Sequence, residues 1–272
     1  MTGRTIVITG ASDGIGAAAA RALAAAGEQV VVVGRSGQKT KAVAQELGAQ
    51  HFVADFARLQ EVRDLAAALR EKYPRIDVLV NNAGGIMGRR ELTGDGHERT
   101  FQVNHLAPFL LTTALLDILT ASRASVINTS SMANRYGRIN LADLETAHRY
   151  SANRAYGASK LANILFTREL HRRYAPEGIA TAAFHPGGVA SNFAAESTPL
   201  IRFAYNPLFR RFMVTPEQGA DTLVWLATSA PGPDWVSGGY YWRRRIAKVN
   251  PQADDGALAR EFWERSAAMV AG

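Results

Sequence analysis

The 272-residue chain contains no cysteine, which excludes disulfide frameworks, cysteine zinc sites, thiolate nucleophiles and iron–sulfur clusters. Its six histidines are scattered without ligand spacing, so no metal site is expected. Long hydrophobic runs are also missing. Val30 to Val33 and Ala22 to Ala26 fall far short of the roughly 18–20 residues that a membrane span needs. Met1 leads straight into Arg4-Thr5-Ile6-Val7-Ile8-Thr9 with no basic segment and apolar stretch of signal-peptide type. The expectation is a chain without a transmembrane segment, by default cytoplasmic. Acidic residues are outnumbered, 24 against 31 basic ones, for a formal net charge of +7. An excess of that sign suits nucleic acid, a membrane surface or an anionic ligand. No basic stripe with interleaved aromatics appears, so nucleic acid is not an expected partner. Lysine is scarce, 5 against 26 arginines, a skew that GC-rich coding produces without any function. With 47% hydrophobic and 20% charged residues, disorder of the whole chain is excluded.

What is present is an alternation. Short Val/Ile-rich runs at Thr5–Thr9, Gln29–Val33, Gln50–Ala54, Val78–Asn81, Val126–Thr129 and Ile179–His185 read as six buried strands. Helix-length periodic segments lie between them: Ile15–Ala26, Lys39–Leu47, Arg58–Lys72, His97–Leu119 and Tyr156–Tyr174. Strands apolar at every position imply a parallel sheet covered on both faces. The fold class is therefore α/β, a single-domain Rossmann-type doubly wound sheet over residues 1–272, with a last strand at Gly239–Trp242. Such sheets bind ligands at the carboxyl ends of their strands.

Thr9-Gly10-Ala11-Ser12-Asp13-Gly14-Ile15-Gly16 follows strand one and opens helix one. Glycines at 10, 14 and 16 permit a tight turn and close approach of the backbone to a pyrophosphate, while the helix N-terminus offers N–H donors. About 20 residues on, where an acid would bond the ribose hydroxyl of NAD, the sequence reads Val33-Gly34-Arg35-Ser36 with Lys39 nearby. A guanidinium and a hydroxyl suit a 2′-phosphate, so NADP(H) is the expected cofactor. In an arginine-rich chain, Arg35 could also stand there by chance.

Tyr156 and Lys160 are four residues apart on one helix and so share a face. A phenol of pKa near 10 is only about 0.1% ionised at neutral pH, and a nearby ammonium lowers that pKa. Ser130 and Ser131 end strand five, where one hydroxyl could bond a substrate carbonyl oxygen; strand alternation lets only one of them face the site.

Together these segments resemble a classical short-chain dehydrogenase/reductase over nearly the whole chain. Thr9 to Gly16 matches TGxxxGxG, Asn81-Asn82-Ala83-Gly84 matches NNAG, and Tyr156 to Lys160 matches YxxxK. Pro186-Gly187-Gly188-Val189-Ala190-Ser191 matches PGxVxT with Ser191 in place of Thr, a departure that keeps the hydroxyl. The resemblance implies that Tyr156 donates or accepts the proton, that Lys160 holds the nicotinamide ribose, and that Ser131, favoured by position over Ser130, orients the carbonyl. It also implies that Asn104 holds a relay water, that Asp55 meets the adenine edge, and that Asn82, Ala83 and Gly84 line the cofactor floor. Ser12, Asp13, Ile15, Pro186, Gly187, Val189 and Ser191 would complete the cofactor site. The long insert at about 132–155 and the segment Tyr156-Gly157-Ala158-Ser159-Lys160-Leu161-Ala162-Asn163 are similar to the retinol-dehydrogenase-like branch, which implies a lipophilic ketone or aldehyde and a homodimer or homotetramer.

A substrate lid is expected at about 190–215, where Phe193, Phe203, Tyr205, Phe209 and Phe212 either line an apolar pocket or serve packing. His148 and His185 read as non-catalytic, Arg243-Arg244-Arg245 as a solvated edge, and Asp254-Asp255 as a loop or helix cap. The rival to a reductase is a non-catalytic NADP-binding regulatory or scaffold protein. The full Ser, Tyr, Lys and Asn set argues against it.

Overall fold

Along β1 (Thr5–Thr9) Ile6 and Ile8 turn to one core and Val7 to the other, because successive side chains of a strand point to opposite faces. The same division holds along β2 (Gln29–Gly34), β4 (Val78–Asn81) and β5 (Ser125–Thr129), so the sheet is buried on both sides. The computed structural model describes residues 3–188 and 214–271. Within them the sheet order is β3-β2-β1-β4-β5-β6-β7-β8, where β3 is Gln50–Val53, β6 Ala180–Phe184, β7 Gly239–Trp242 and β8 Arg245–Ile246. All pairings are parallel except β7 with β8. This is a doubly wound α/β domain whose strand order reverses between β1 and β4, the crevice where such folds take ligands.

Helices α1 (Gly14–Ala25) and α2 (Gly37–Leu47) cover one face. The other face carries α3 (Leu59–Lys72), then a long interrupted helix, then α7 (Ala152–Tyr174). The interrupted helix corrects the continuous one expected over 97–119. It comprises a short α4 (Arg99–Phe101), a π-helical turn at Gln102–Leu106, α5 (Ala107–Ala114) and, after a 64° bend, α6 (Leu116–Ser122). Thr112 and Thr113 hydroxyls donate to the carbonyls of Pro108 and Phe109, back-bonds that bend helices.

Strand β3 is a second correction: it was expected to be buried, yet Gln50, His51 and Val53 are exposed because β3 is the sheet edge. Two helices with no counterpart in the sequence reading complete the layers, α8 (Pro216–Thr228) beside α1 and α9 (Gly256–Val270) beside α7. Asp255 caps α9 through the N–H groups of Ala257 and Leu258, as the cap reading anticipated.

Candidate active site

A cleft of about 850 Å³ opens at the carboxyl ends of the strands. It runs from Gly10–Gly16, past Arg35, Ser36 and Asp55, over Asn82, Ala83 and Gly84, to Ser131, Tyr156, Lys160, Pro186 and Gly187. Val189, Ser191 and the segment expected as a lid, with its aromatic residues, lie outside the described residues.

The glycine turn is built by the ends of β1 and β4 holding each other. Thr9 Oγ1 accepts from the N–H groups of Asn82 and Ala83, both at 3.0 Å, and Asn82 Nδ2 returns a bond to Thr9 O at 3.0 Å. Gly10 has φ +65, and a Cβ there would come within 2.8 Å of the Ala83 Cα. A Cβ at Gly16 would lie 2.3 Å from Gly10 O. Only glycine allows this close packing of the α1 N-terminus on the turn, and the cradle that results fits a dinucleotide phosphate. The first N–H of α1 is bonded by Asp13 Oδ1 at 2.7 Å, and Asp13 Oδ2 pairs with Lys39 Nζ at 3.0 Å. An acid thus stands at the phosphate end together with the lysine that neutralises it.

Arg35 follows β2 and is exposed along the cleft. Ser36 caps α2, its hydroxyl accepting from Lys39 N. Asp55 is half-buried after β3, with its main-chain N–H donating to Glu61 and its carboxylate accepting from Ala57 N.

At the other end, the two serines that follow β5 differ in burial and bonding. Ser130 is 2% exposed and its hydroxyl donates to Lys160 O at 2.7 Å, whereas Ser131 is half-buried and its Oγ accepts only from Ala133 N at 3.2 Å among the described residues. Ser131 is the serine whose hydroxyl proton is available to a ligand. Lys160 Nζ lies 5.7 Å from the centre of the Tyr156 ring, as the four-residue spacing implied. It is almost wholly buried, and burial pushes its ammonium down to about 7.

Asn104 is placed differently from the other members. It sits on the π-helical turn, fully buried, with Nδ2 donating to Gly85 O and Ser159 Oγ, each at 2.9 Å, and Oδ1 accepting from Gly85 N at 2.8 Å. Its side chain therefore fixes the loop after β4 and does not line the cleft.

His185 is buried, pushed down to about 4 by desolvation and stacked on Trp242, while His148 is exposed beside Asp143. The wall beyond Tyr156 is formed by Ile86 and Met87, which sequence reasoning missed, and by Met132, Tyr136 and Asn153 of the insert expected at about 132–155, none of them singled out individually. No motif marks these residues; what gathers them is the 3₁₀ turn Met132–Tyr136 folding over the start of α7. That turn is stapled from behind by buried Asn250, which donates to the carbonyls of Asn134 and Gly137.

A cleft with a dinucleotide cradle at one end and a phenol, an ammonium and a hydroxyl at the other defines a nicotinamide oxidoreductase. Residues 4–200 match the family model described as short chain dehydrogenase, and the chain belongs to that family. A Streptomyces sp. (strain C5) protein named for daunorubicin C-13 ketoreduction is 45% identical to it, over 99% of this chain and 93% of its own. Human retinol dehydrogenase 14 is 37% identical, over 99% and 87%. Among solved structures, a protein from Beutenbergia cavernae titled as an NAD(P) dependent gluconate 5-dehydrogenase, with NADP bound at low occupancy, superposes with a TM-score of 0.70 at 30% identity, over 88% of this chain and 94% of its own. The chain is thus an oxidoreductase of the short-chain type, similar to carbonyl- and retinol-active members, and its chemistry is carbonyl/alcohol oxidoreduction.

Proposed function

We propose that the protein is a cytoplasmic NADP(H)-dependent carbonyl reductase acting on lipophilic ketones or aldehydes, with the reverse alcohol oxidation available to the same residues. The observation that carries the reading is the convergence of Ser131, Tyr156 and Lys160 at one end of a cleft whose other end is flanked by Arg35 and Lys39. Within it, Ser131 Oγ orients the carbonyl oxygen and Tyr156 protonates it as the alcohol forms. The Lys160 ammonium lowers the phenol's pKa and bonds the ribose. When bound, the nicotinamide supplies the hydride. Asn104 completes the set as the holder of a relay water. With its side chain committed to Gly85 and Ser159, that contact falls to its main-chain carbonyl.

NADP over NAD is supported by Arg35 and Ser36 where an acid would select NAD, and by the NADP held by a structural neighbour. A lipophilic substrate is supported by Ile86, Met87, Met132 and Tyr136 in the wall beyond Tyr156, with Met132 and Tyr136 more than half exposed. The insert at about 132–155, and the lid expected at about 190–215, are where we place substrate choice. NADPH oxidation with a panel of aryl, polycyclic and long-chain ketones and aldehydes, repeated with NADH, tests the reading. Turnover with NADPH that disappears in Tyr156→Phe supports it. Absence of turnover across the panel, with NADPH bound tightly, would favour the scaffold alternative.

A further inference from the structure

The main-chain carbonyl of Thr129, at the end of β5, accepts two donors from α7: Lys160 Nζ at 3.1 Å and Asn163 Nδ2 at 3.1 Å. All three residues are buried, Lys160 and Asn163 almost wholly. A carbonyl oxygen has two lone pairs, so the amide takes one and the ammonium is left the other. Thr129 O is also the one hydrogen-bond acceptor that Nζ has among the described residues. A buried ammonium moves onto whatever acceptor is offered, because leaving it unpaired is costly.

Neighbouring bonds hold this arrangement rigid. Ser130 Oγ donates to Lys160 O at 2.7 Å, Asn128 Nδ2 donates to Thr167 Oγ1 at 2.9 Å, and Thr167 Oγ1 donates to Asn163 O at 2.7 Å. The strand end and two turns of the helix are thus stapled around the buried Lys160 side chain. On its open side no Cβ intervenes, since one at Gly84 would lie 3.3 Å from Nζ.

Resting on the roles given above to Tyr156 and Lys160, we infer that Asn163 is a positioning residue: by sharing the Thr129 carbonyl it weakens the bond that the Lys160 ammonium makes to that oxygen and leaves its remaining N–H groups for Tyr156. The charged groups around the pair do not offer Nζ another anchor. Asp13 and Asp55 line the cleft at the far end with Arg35 and Lys39, and desolvation alone accounts for the lowered Lys160 pKa. Tyr136 from the 3₁₀ turn shares the Tyr156 end, and two buried imidazoles, His105 against Asn163 and His185 just after β6, are both pushed well below the ordinary histidine value and offer no negative charge. Replacing Asn163 by a residue without a donor in reach returns the second lone pair to the ammonium, draws it toward the strand and weakens its hold on the phenolate.

The test reads Tyr156 itself. Phenolate absorbance is titrated in the cofactor-free protein, and the curve of the Tyr156→Phe variant is subtracted. Asn163→Leu and Asn163→Ser should each raise the Tyr156 midpoint by about one unit, and Lys160→Met by at least as much. In alcohol oxidation, Asn163→Leu should then be slower by about tenfold at neutral pH, with KM unchanged, and converge on the parent rate as the pH rises. A merely structural defect lowers the rate at every pH. If Lys160→Met moves the midpoint and both Asn163 variants leave it in place, the inference about Asn163 is wrong while the Tyr–Lys pair stands. A midpoint that none of the three moves overturns the pair itself, and the inference with it.

Discussion

Lys39 Nζ stands 3.0 Å from Asp13 Oδ2, and this ion pair ties the glycine turn after β1 to α2, across the part of the cleft that Arg35 flanks. Both side chains are about half exposed, so the pair itself contributes little to stability, about 0–1 kcal/mol. Its consequence lies in binding. Lys39→Ala uncovers a carboxylate beside the phosphate end and should weaken NADPH by about tenfold at low salt, with the loss shrinking as salt screens it. Lys39→Ala with Asp13→Asn should recover most of that. Fluorescence titration of NADPH at two ionic strengths decides; equal affinities in parent and Lys39→Ala would separate the ion pair from cofactor binding.

Arg35 is the second charged side chain proposed to act on the cofactor. Arg35→Asp replaces a cation by a group suited to a ribose hydroxyl, and should lower kcat/KM for NADPH by about a hundredfold while raising that for NADH. An unchanged NADPH/NADH ratio would remove Arg35 from cofactor choice.

Gly84 tests how tightly the floor of the cleft is built. A Cβ there would lie 2.7 Å from Asn104 Oδ1 and 3.3 Å from Lys160 Nζ, both buried polar atoms with fixed partners. Gly84→Ala must displace one of them. The expected cost is about 1–3 kcal/mol in unfolding free energy, with turnover reduced more than tenfold. A variant with parent stability and parent kcat would mean that the Asn104 loop can yield without effect.

How much of this was legible follows from which contacts are local. The turn at Gly10–Gly16 and the Tyr156–Lys160 spacing are written in consecutive residues, and the structure has them where the sequence reading put them. The break at Leu115 was not legible, because Ala114, Leu115 and Leu116 are good helix formers and the threonine hydroxyls that bond back along the helix just before it leave no mark in the apolar periodicity. Nor was the exposure of β3, whose Phe52 and Val53 read as buried strand until the sheet order makes them an edge. Asn104 and Asn163 show the same limit within the site. Each side chain is directed by a partner far away in the chain, Gly85 and Thr129, and one sequence gives no sign of either pairing.

The β7–β8 hairpin offers a prediction independent of function. Arg243 at φ 48 and Arg244 at φ 60 occupy the left-handed region in a two-residue turn, a geometry that Asn-Gly adopts with less strain. Relief of both positions is worth about 1–2 kcal/mol, against about 0–1 kcal/mol for the lost Arg244–Asp221 ion pair. Arg243→Asn with Arg244→Gly should therefore raise Tm by a few degrees without altering NADPH affinity. A lower Tm would show that the ion pair and the Arg243–Trp242 contact outweigh the backbone strain.

Burial of Lys160 and His105 contributes two windows to the pH dependence of stability in the cofactor-free protein. Lys160 is pushed from 10.5 to about 7 on folding, so between those values the unfolded chain carries the extra proton and stability rises with pH. Below pH 7 the buried ammonium is a full burden. Lys160→Met should then stabilise the protein by a few kcal/mol at pH 6, and the gain should fade as the pH climbs through 7 toward 10. His105, fully buried against Phe262 with Nε2 on Ser266 Oγ, is pushed from 6.5 to about 3. Its depressed pKa acts in a lower window: stability falls as pH drops from 6.5 toward 3, because unfolding takes up the proton that the fold refuses. His105→Gln, which does not titrate, should make the acid side of the profile shallower, leaving the share that His185 contributes in the same window, and leave the neutral side unchanged. Urea unfolding at closely spaced pH values resolves the two windows, and a Lys160→Met advantage that is constant from pH 6 to 10 would show that the lysine keeps its ordinary pKa in the fold and stays charged in both states.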